Sequence, residues 1–237
     1  MLNRKNYPFI AFIAVRNGSK GLPNKNVMML GNKSLYEIAI QKALNANCIH
    51  VTVSTDIPEI LDRSFSSDVT VLKRAENLCK DDSSINDVIY DWSIGESSEV
   101  FPDNAIVALI QVTSPFSSSL DLKNAYQKFC NSDASLLKSV TVTDNKILKY
   151  GYLDGDNFLP ISNVEYCFTN RQMLPRVVRP NGAFYIFELE NFRKMGTLAT
   201  DNIISFEMDN RSSLDIDNLS DFELAKSMLK DKEKSFT

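Results

Sequence analysis

The sequence predicts an α/β fold: a doubly wound, mostly parallel sheet with helices on both faces. Between Phe9 and Cys130, short runs of apolar or β-branched residues alternate with segments of helical spacing. Parallel neighbours need crossover connections, and helices of this length supply them. Polar and charged residues gather just after the strand runs, where open α/β sheets bind their ligands. At 237 residues, with 43 % hydrophobic and 24 % charged residues, the composition fits one main globular domain spanning 1–237.

The elements follow in order. "FIAFIAV" (9–15) is a continuous apolar run, as expected of a strand covered on both sides. "SLYE" (34–37) places Ser three residues before Glu, a capping box that starts the first helix. "HVTVST" (50–55) and "VTVL" (69–72) are further strands, with Asp56 ahead of "IPE" read as the start of a helix between them. "DDSS" (81–84) leads into a helix at Ile85, and "AIVALIQ" (105–111) is another buried strand. After "ASLLKSVTV" (134–142) the rhythm changes. Residues 143–180 hold "DGDN", three prolines and several cations without an amphipathic helix, and read as an inserted subdomain. The rhythm returns with "GAFYIF" (182–187), "NIISFEMD" (202–209) and a final helix, with Ser220 as its cap in "SDFE".

Several function classes drop out. A net charge of −4 argues against a general nucleic-acid binder, so any positive site is local. Four scattered cysteines and one histidine, His50, leave neither a zinc pattern nor a disulfide framework nor Ser-His-Asp chemistry. His50 adjoins a strand and reads as structural. The run at 9–15 is too short to span a membrane, and "MLNRKNYP" introduces no secretory segment, so the expected setting is cytoplasmic, with no membrane partner.

Two stretches concentrate chemistry. "VRNGSKGLPNKN" (15–26) follows the first strand with Gly18 and Gly21, the cations Arg16, Lys20 and Lys25, the hydroxyl of Ser19 and the amide of Asn26. Glycines let backbone N–H groups turn toward an anion, so the loop is either a polyphosphate cradle or a solvated basic turn. It matches neither the Walker A spacing nor Gly-x-Gly-x-x-Gly. In "LDID" (214–217), an extended backbone puts Asp215 and Asp217 on one face. Two adjacent carboxylates either share a hard cation such as Mg2+ or simply solvate a helix start.

"IAVRNGSKGLPNKN" resembles the first signature of the acylneuraminate cytidylyltransferase family, the CMP-sialic acid synthetases. "KRAENLCKDDSSINDVI" (73–89), "LIQVTSP" (109–115), "RQMLPRVVRPNGAFYI" (171–186) and "SSLDIDNLSDFELA" (212–225) follow in that family's order. The resemblance implies a Rossmann-like nucleotidyltransferase fold with a small dimerisation insertion, and CTP and a nine-carbon keto sugar acid as the substrates. CMP passes to the sugar's anomeric hydroxyl and pyrophosphate leaves. It implies that Arg16, Ser19, Lys20 and Lys25 hold the triphosphate and that Asn26, Arg74 and Ser84 seat the nucleotide. Gln111, Lys149, Arg171, Arg179 and Asn181 would meet the sugar, Lys149 from the partner of a homodimer. Asp215 and Asp217 would hold Mg2+, with Arg16, Lys20 and Asp217 nearest the chemistry. For Ser84 a plain helix cap remains the alternative, and for the insertion's cations a solvated basic loop. Ser117 departs from the family, where an arginine often stands.

Within the same chemistry, neuraminate and legionaminate lead over pseudaminate and 3-deoxy-octulosonate. A metal-dependent glycosyltransferase is the rival from another class, although its Asp-x-Asp pair usually lies mid-chain.

Overall fold

A computed structural model describes residues 4–18, 21–95 and 100–234. Ser19 and Lys20 therefore lie outside the described residues. The predicted strands β1 (Phe9–Val15), β4 (His50–Thr55), β5 (Val69–Lys73) and β6 (Ile106–Ile110) form, and a small pair that was not predicted, β2 (Met29–Leu30) and β3 (Lys33–Ser34), lies between the first two. α1 (Leu35–Asn45), α2 (Pro58–Leu61), α3 (Ile85–Ile94) and α4 (Ser119–Cys130) alternate with them. Then come β7 (Leu136–Thr143), the β8 (Gly151–Asp154) and β9 (Asn157–Pro160) hairpin, β10 (Val177–Glu188), α5 (Leu189–Met195), β11 (Ile203–Glu207) and α6 (Leu219–Lys234).

The main sheet has seven strands in the order β11-β7-β10-β6-β1-β4-β5. All are parallel except β10, which runs antiparallel to both β6 and β7. Side chains alternate across a strand, and β1 shows the consequence directly. Phe9, Ala11, Ile13 and Val15 enter the core beneath α1, α4 and α6, beside Leu35, Phe129 and Phe222. Ile10 and Phe12 enter the core on the other face, beneath α3 and α5, where Phe12 lies 4.6 Å from Trp92 between ring centres. Truncating a fully buried side chain of this size costs about 3–5 kcal/mol.

The Ser34–Glu37 capping box forms as predicted, with the Ser34 N–H donating to Glu37 Oε2 at 2.7 Å. Two other caps differ. Thr55 Oγ1 accepts from the Ile57 N–H at the start of α2, while Asp56 turns away to accept from the Asn17 N–H at 2.7 Å. At α6 the acceptor is Asn218 Oδ1, which takes the Asp221 N–H, and Ser220 merely donates to that same oxygen. Helix α6 starts one residue before Ser220, leaving that hydroxyl inside the first turn.

The expected insertion, 143–180, begins and ends in strands. Thr143 ends β7, and Val177 to Pro180 pair with it in β10, so the two strands run past the sheet as an antiparallel arm. The intervening residues carry the β8–β9 hairpin and short 3-10 turns. All four cysteines are free, and His50 Nε2 sits 3.0 Å from Thr70 Oγ1. Among the described residues, no helix is long and apolar enough to cross a membrane.

Candidate active site

A cleft of about 460 Å³ opens at the carboxyl ends of β1, β5 and β6. Arg16, Gly21, Lys25 and Asn26 line it from the loop after β1; Arg74, Lys80 and Ser83 line it from the segment after β5; Gln111 and Thr113 do so after β6. Asp217 closes the opposite side. The strand order brings these segments together although they are far apart in the chain.

The glycine loop is held by groups outside it. The Asn17 N–H donates to Asp56, Asn26 Nδ2 donates to the Arg16 carbonyl at 2.8 Å, and Gly18 adopts φ +70°. A methyl group on Gly21 would stand 2.4 Å from the Asp217 carbonyl oxygen, so only glycine permits that approach. Arg16 faces the cleft mouth, where its Nη1 meets Asp81 Oδ1 at 2.5 Å.

Lys25 does not point freely at a phosphate. Its Nζ donates to the Ile216 carbonyl at 2.6 Å and to Asp217 Oδ1 at 3.2 Å, tying the loop to the aspartate segment. Arg74 is 5 % exposed; its Nη2 donates to the Ser54 carbonyl and its Nε to Ser54 Oγ. The guanidinium therefore sits in a fixed pose on the cleft wall. Ser84 Oγ accepts from the Asn86 N–H as the cap of α3, while neighbouring Ser83 lines the cleft.

The "LDID" segment is not a strand. It runs as irregular backbone into α6, anchored where the Ile216 N–H donates to the Thr113 carbonyl at 2.9 Å. Asp215 is half-buried and Oδ1 has no partner among the described residues, whereas the Asp217 carboxylate is largely exposed. Burial pushes the Asp215 carboxyl above the usual range, and Asp217 adds to this; a hydrogen bond from Thr113 and the charges of Lys25 and Arg179 oppose it. An unpartnered buried carboxylate oxygen beside a second carboxylate fits a hard divalent cation. Mg2+ commonly uses one or two carboxylates, with waters and phosphates completing its shell. Among the described residues no group of three or more His, Cys, Asp or Glu forms a closed metal site.

The predicted sugar contacts divide. Gln111 lines the cleft, and Arg179 lies close enough to act on Asp215. Lys149 and Arg171 sit on the arm and do not line it; Arg171 lies 3.5 Å from Asp144. Asn181 is 1 % exposed and internally satisfied, donating to Ser213 Oγ and Met208 Sδ and accepting from the Ala183 N–H. These bonds hold it against Ser213, two residues before Asp215. At Ser117, the cation comes instead from Lys42 of α1, whose ammonium donates to the Ser117 hydroxyl.

Asp56, Asp81 and Lys42 were not among the expected site residues. Lys42 carried a readable signal, since it falls on the stripe of Leu35, Ala39, Ala43 and Ala46 that α1 buries.

Solved structures share this fold. CMP:2-keto-3-deoxy-manno-octonic acid synthetase complexed with CTP aligns at TM-score 0.70 and 16 % identity, covering 94 % of this chain and 99 % of that one. A 4-diphosphocytidyl-2C-methyl-D-erythritol synthase from Anaerococcus prevotii aligns at TM-score 0.63 and 11 % identity, covering 95 % and 97 %. The chain belongs to the cytidylyltransferase family, whose model matches residues 10–182. It is 31 % identical over 218 residues to an N-acylneuraminate cytidylyltransferase of Escherichia coli O18:K1:H7, covering 91 % of this chain and 51 % of that protein. It is 26 % identical over 224 residues to a pseudaminic acid cytidylyltransferase of Campylobacter jejuni, covering 93 % and 96 %. The chain thus spans about half the length of the N-acylneuraminate relatives it matches.

Proposed function

We propose that the protein transfers CMP from CTP to the anomeric hydroxyl of a nine-carbon sugar acid of the neuraminate or legionaminate type, releasing pyrophosphate. The observation that carries this reading is the convergence of Arg16, Arg74, Gln111 and Asp217 on one cleft, with the unpartnered carboxylate oxygen of Asp215 two residues before Asp217. Nucleotidyl transfer needs positioning and neutralisation of developing charge more than covalent help from the protein. Arg16 then binds the triphosphate, exchanging Asp81 for phosphate oxygens. Lys20, outside the described residues, adds a second cation from the same loop. Lys25 supports binding indirectly by holding Asp217 and the loop together. Arg74 presents planar donors to the nucleotide, and Gln111 meets the sugar.

Asp215 and Asp217 are the residues that would hold Mg2+. When bound, the ion supplies charge neutralisation at the reacting phosphate and lowers the pKa of a coordinated hydroxyl. This reading requires no histidine base. The protein works as a homodimer through the arm, whose Leu153, Phe168 and Met173 are each more than three-quarters exposed in the single chain. Lys149 and Arg171 then approach the sugar from the second copy. The enzyme acts in the cytoplasm, where CTP is made available.

The test is pyrophosphate release in the presence of Mg2+, each of the four common nucleoside triphosphates and a panel of keto sugar acids. Release with CTP that depends on neuraminate or legionaminate is expected. Release only with pseudaminate or 3-deoxy-octulosonate moves the chain to that branch, and no sugar-dependent release with CTP overturns the reading.

A further inference from the structure

Lys42 is 6 % exposed on the core-facing stripe of α1. Its Nζ donates to the Ser114 carbonyl at 2.8 Å and to Ser117 Oγ, and Ser117 Oγ also donates to the Ser114 carbonyl at 3.0 Å. Both acceptors are neutral. Among the described residues no carboxylate forms an ion pair with Lys42; Asp121 on α4 acts on it electrostatically from farther away. Burying an ammonium among neutral oxygens is unfavourable, and a methionine would fill the stripe more cheaply. The residue's contribution must therefore lie in what it holds.

It holds one turn. Gln111 and Thr113, immediately before the clamped carbonyl, line the cleft. The Gln111 N–H donates to the Ala183 carbonyl at 3.1 Å, and the Thr113 carbonyl accepts from the Ile216 N–H at 2.9 Å. That second bond fixes the backbone one residue after Asp215. A continuous line of contacts thus runs from the Lys42 ammonium through Ser114 and Thr113 to the Asp215 segment. The loop after β1 meets this line only at its far end, where Lys25 donates to the Ile216 carbonyl; Arg16, on the triphosphate side, bonds Asp81 and Asn26 instead.

We propose that Lys42 is a positioning residue that fixes the Thr113–Ser117 turn against the Asp215 segment and so sets the sugar side of the cleft. This rests on the cytidylyl-transfer reading for its kinetic consequence but not for its structural one.

Two variants test it. Lys42→Met keeps the volume and removes the donors; Ser117→Ala removes one acceptor and leaves the helix untouched. With Lys42→Met, kcat falls or the sugar-acid KM rises by about ten- to a hundredfold, while the CTP KM stays within about twofold. Ser117→Ala moves the same parameter less. Hydrogen exchange read by mass spectrometry supplies the second readout: the Gln111 and Ile216 amides lose protection in Lys42→Met, while those of β1 keep theirs.

Equal losses toward both substrates that follow a lowered unfolding midpoint would reduce Lys42 to a structural residue. Unchanged sugar kinetics with unchanged exchange would also overturn the proposal. If Lys42→Met does not fold, Ser117→Ala decides by the same two readouts. If the unaltered protein transfers CMP to none of the sugar acids, the functional reading fails, and the exchange pattern alone still decides whether Lys42 fixes the turn.

Discussion

Arg16 and Asp81 meet at the cleft mouth with side chains 31 % and 39 % exposed. Ion pairs so open to water contribute about 0–1 kcal/mol, so phosphate oxygens can replace the carboxylate without a large penalty. Asp81→Asn is expected to tighten CTP binding by up to about fivefold, as titration calorimetry would measure, because Arg16 no longer has to exchange partners. Weaker binding would instead make Asp81 part of the nucleotide surface. Sequence reading identified the cations of this loop but not the carboxylates that hold it. Asp56 and Asp81 lie 39 and 65 residues beyond their partners, and local spacing carries no information about contacts of that range. Asp56 was legible only as a helix cap because it precedes Pro58, and the competing demand from the Asn17 N–H exists only in the folded sheet.

At the scale of elements, the loop after β1 and the segment before α6 are joined by close backbone approach at Gly21 and by the Lys25 bridge. Gly21→Ala would bring a carbon to 2.4 Å from a backbone oxygen that cannot swing aside like a flexible side chain. The two segments must separate. Activity is expected to fall by about ten- to a hundredfold with only a small drop in melting temperature, since the strands beneath are untouched; steady-state rates beside a thermal melt would check both. The strands themselves were legible because each is a short apolar run with a distinct edge. The direction of β10 was not. A strand covered on both faces shows the same hydrophobic run whichever way it points, so "GAFYIF" gave no sign of its antiparallel course. The arm's strands were hidden for a related reason: Val177 to Pro180 are intermediate or exposed, and carry no core signal.

For the whole molecule, the arm presents Tyr152, Leu153, Phe158, Phe168 and Met173 to solvent. Apolar surface gathered in this way marks an interaction site. On the proposed pairing, light scattering is expected to give a dimer mass for the unaltered protein and a single-chain mass for a Leu153→Glu, Phe168→Glu double variant; equal masses would rule out the arm as the contact. Its nucleotide affinity should persist, because Arg16 and Arg74 lie in the sheet-based cleft.

β10 belongs to both regions. Its outer residues, Val177 to Pro180, build the arm; its inner residues, Phe184 to Glu188, lie between β6 and β7; and the register shifts between Pro180 and Tyr185. At that irregularity sit Asn181, locked by its own hydrogen bonds, and Gly182, where a side-chain carbon would come within 3.4 Å of Asp215 Oδ2. The strand is thus a stiff rod pinned at its middle directly beneath a carboxylate. A load on the free end would fall on that pin, so the proposed pairing of two arms would bear directly on the backbone beside Asp215.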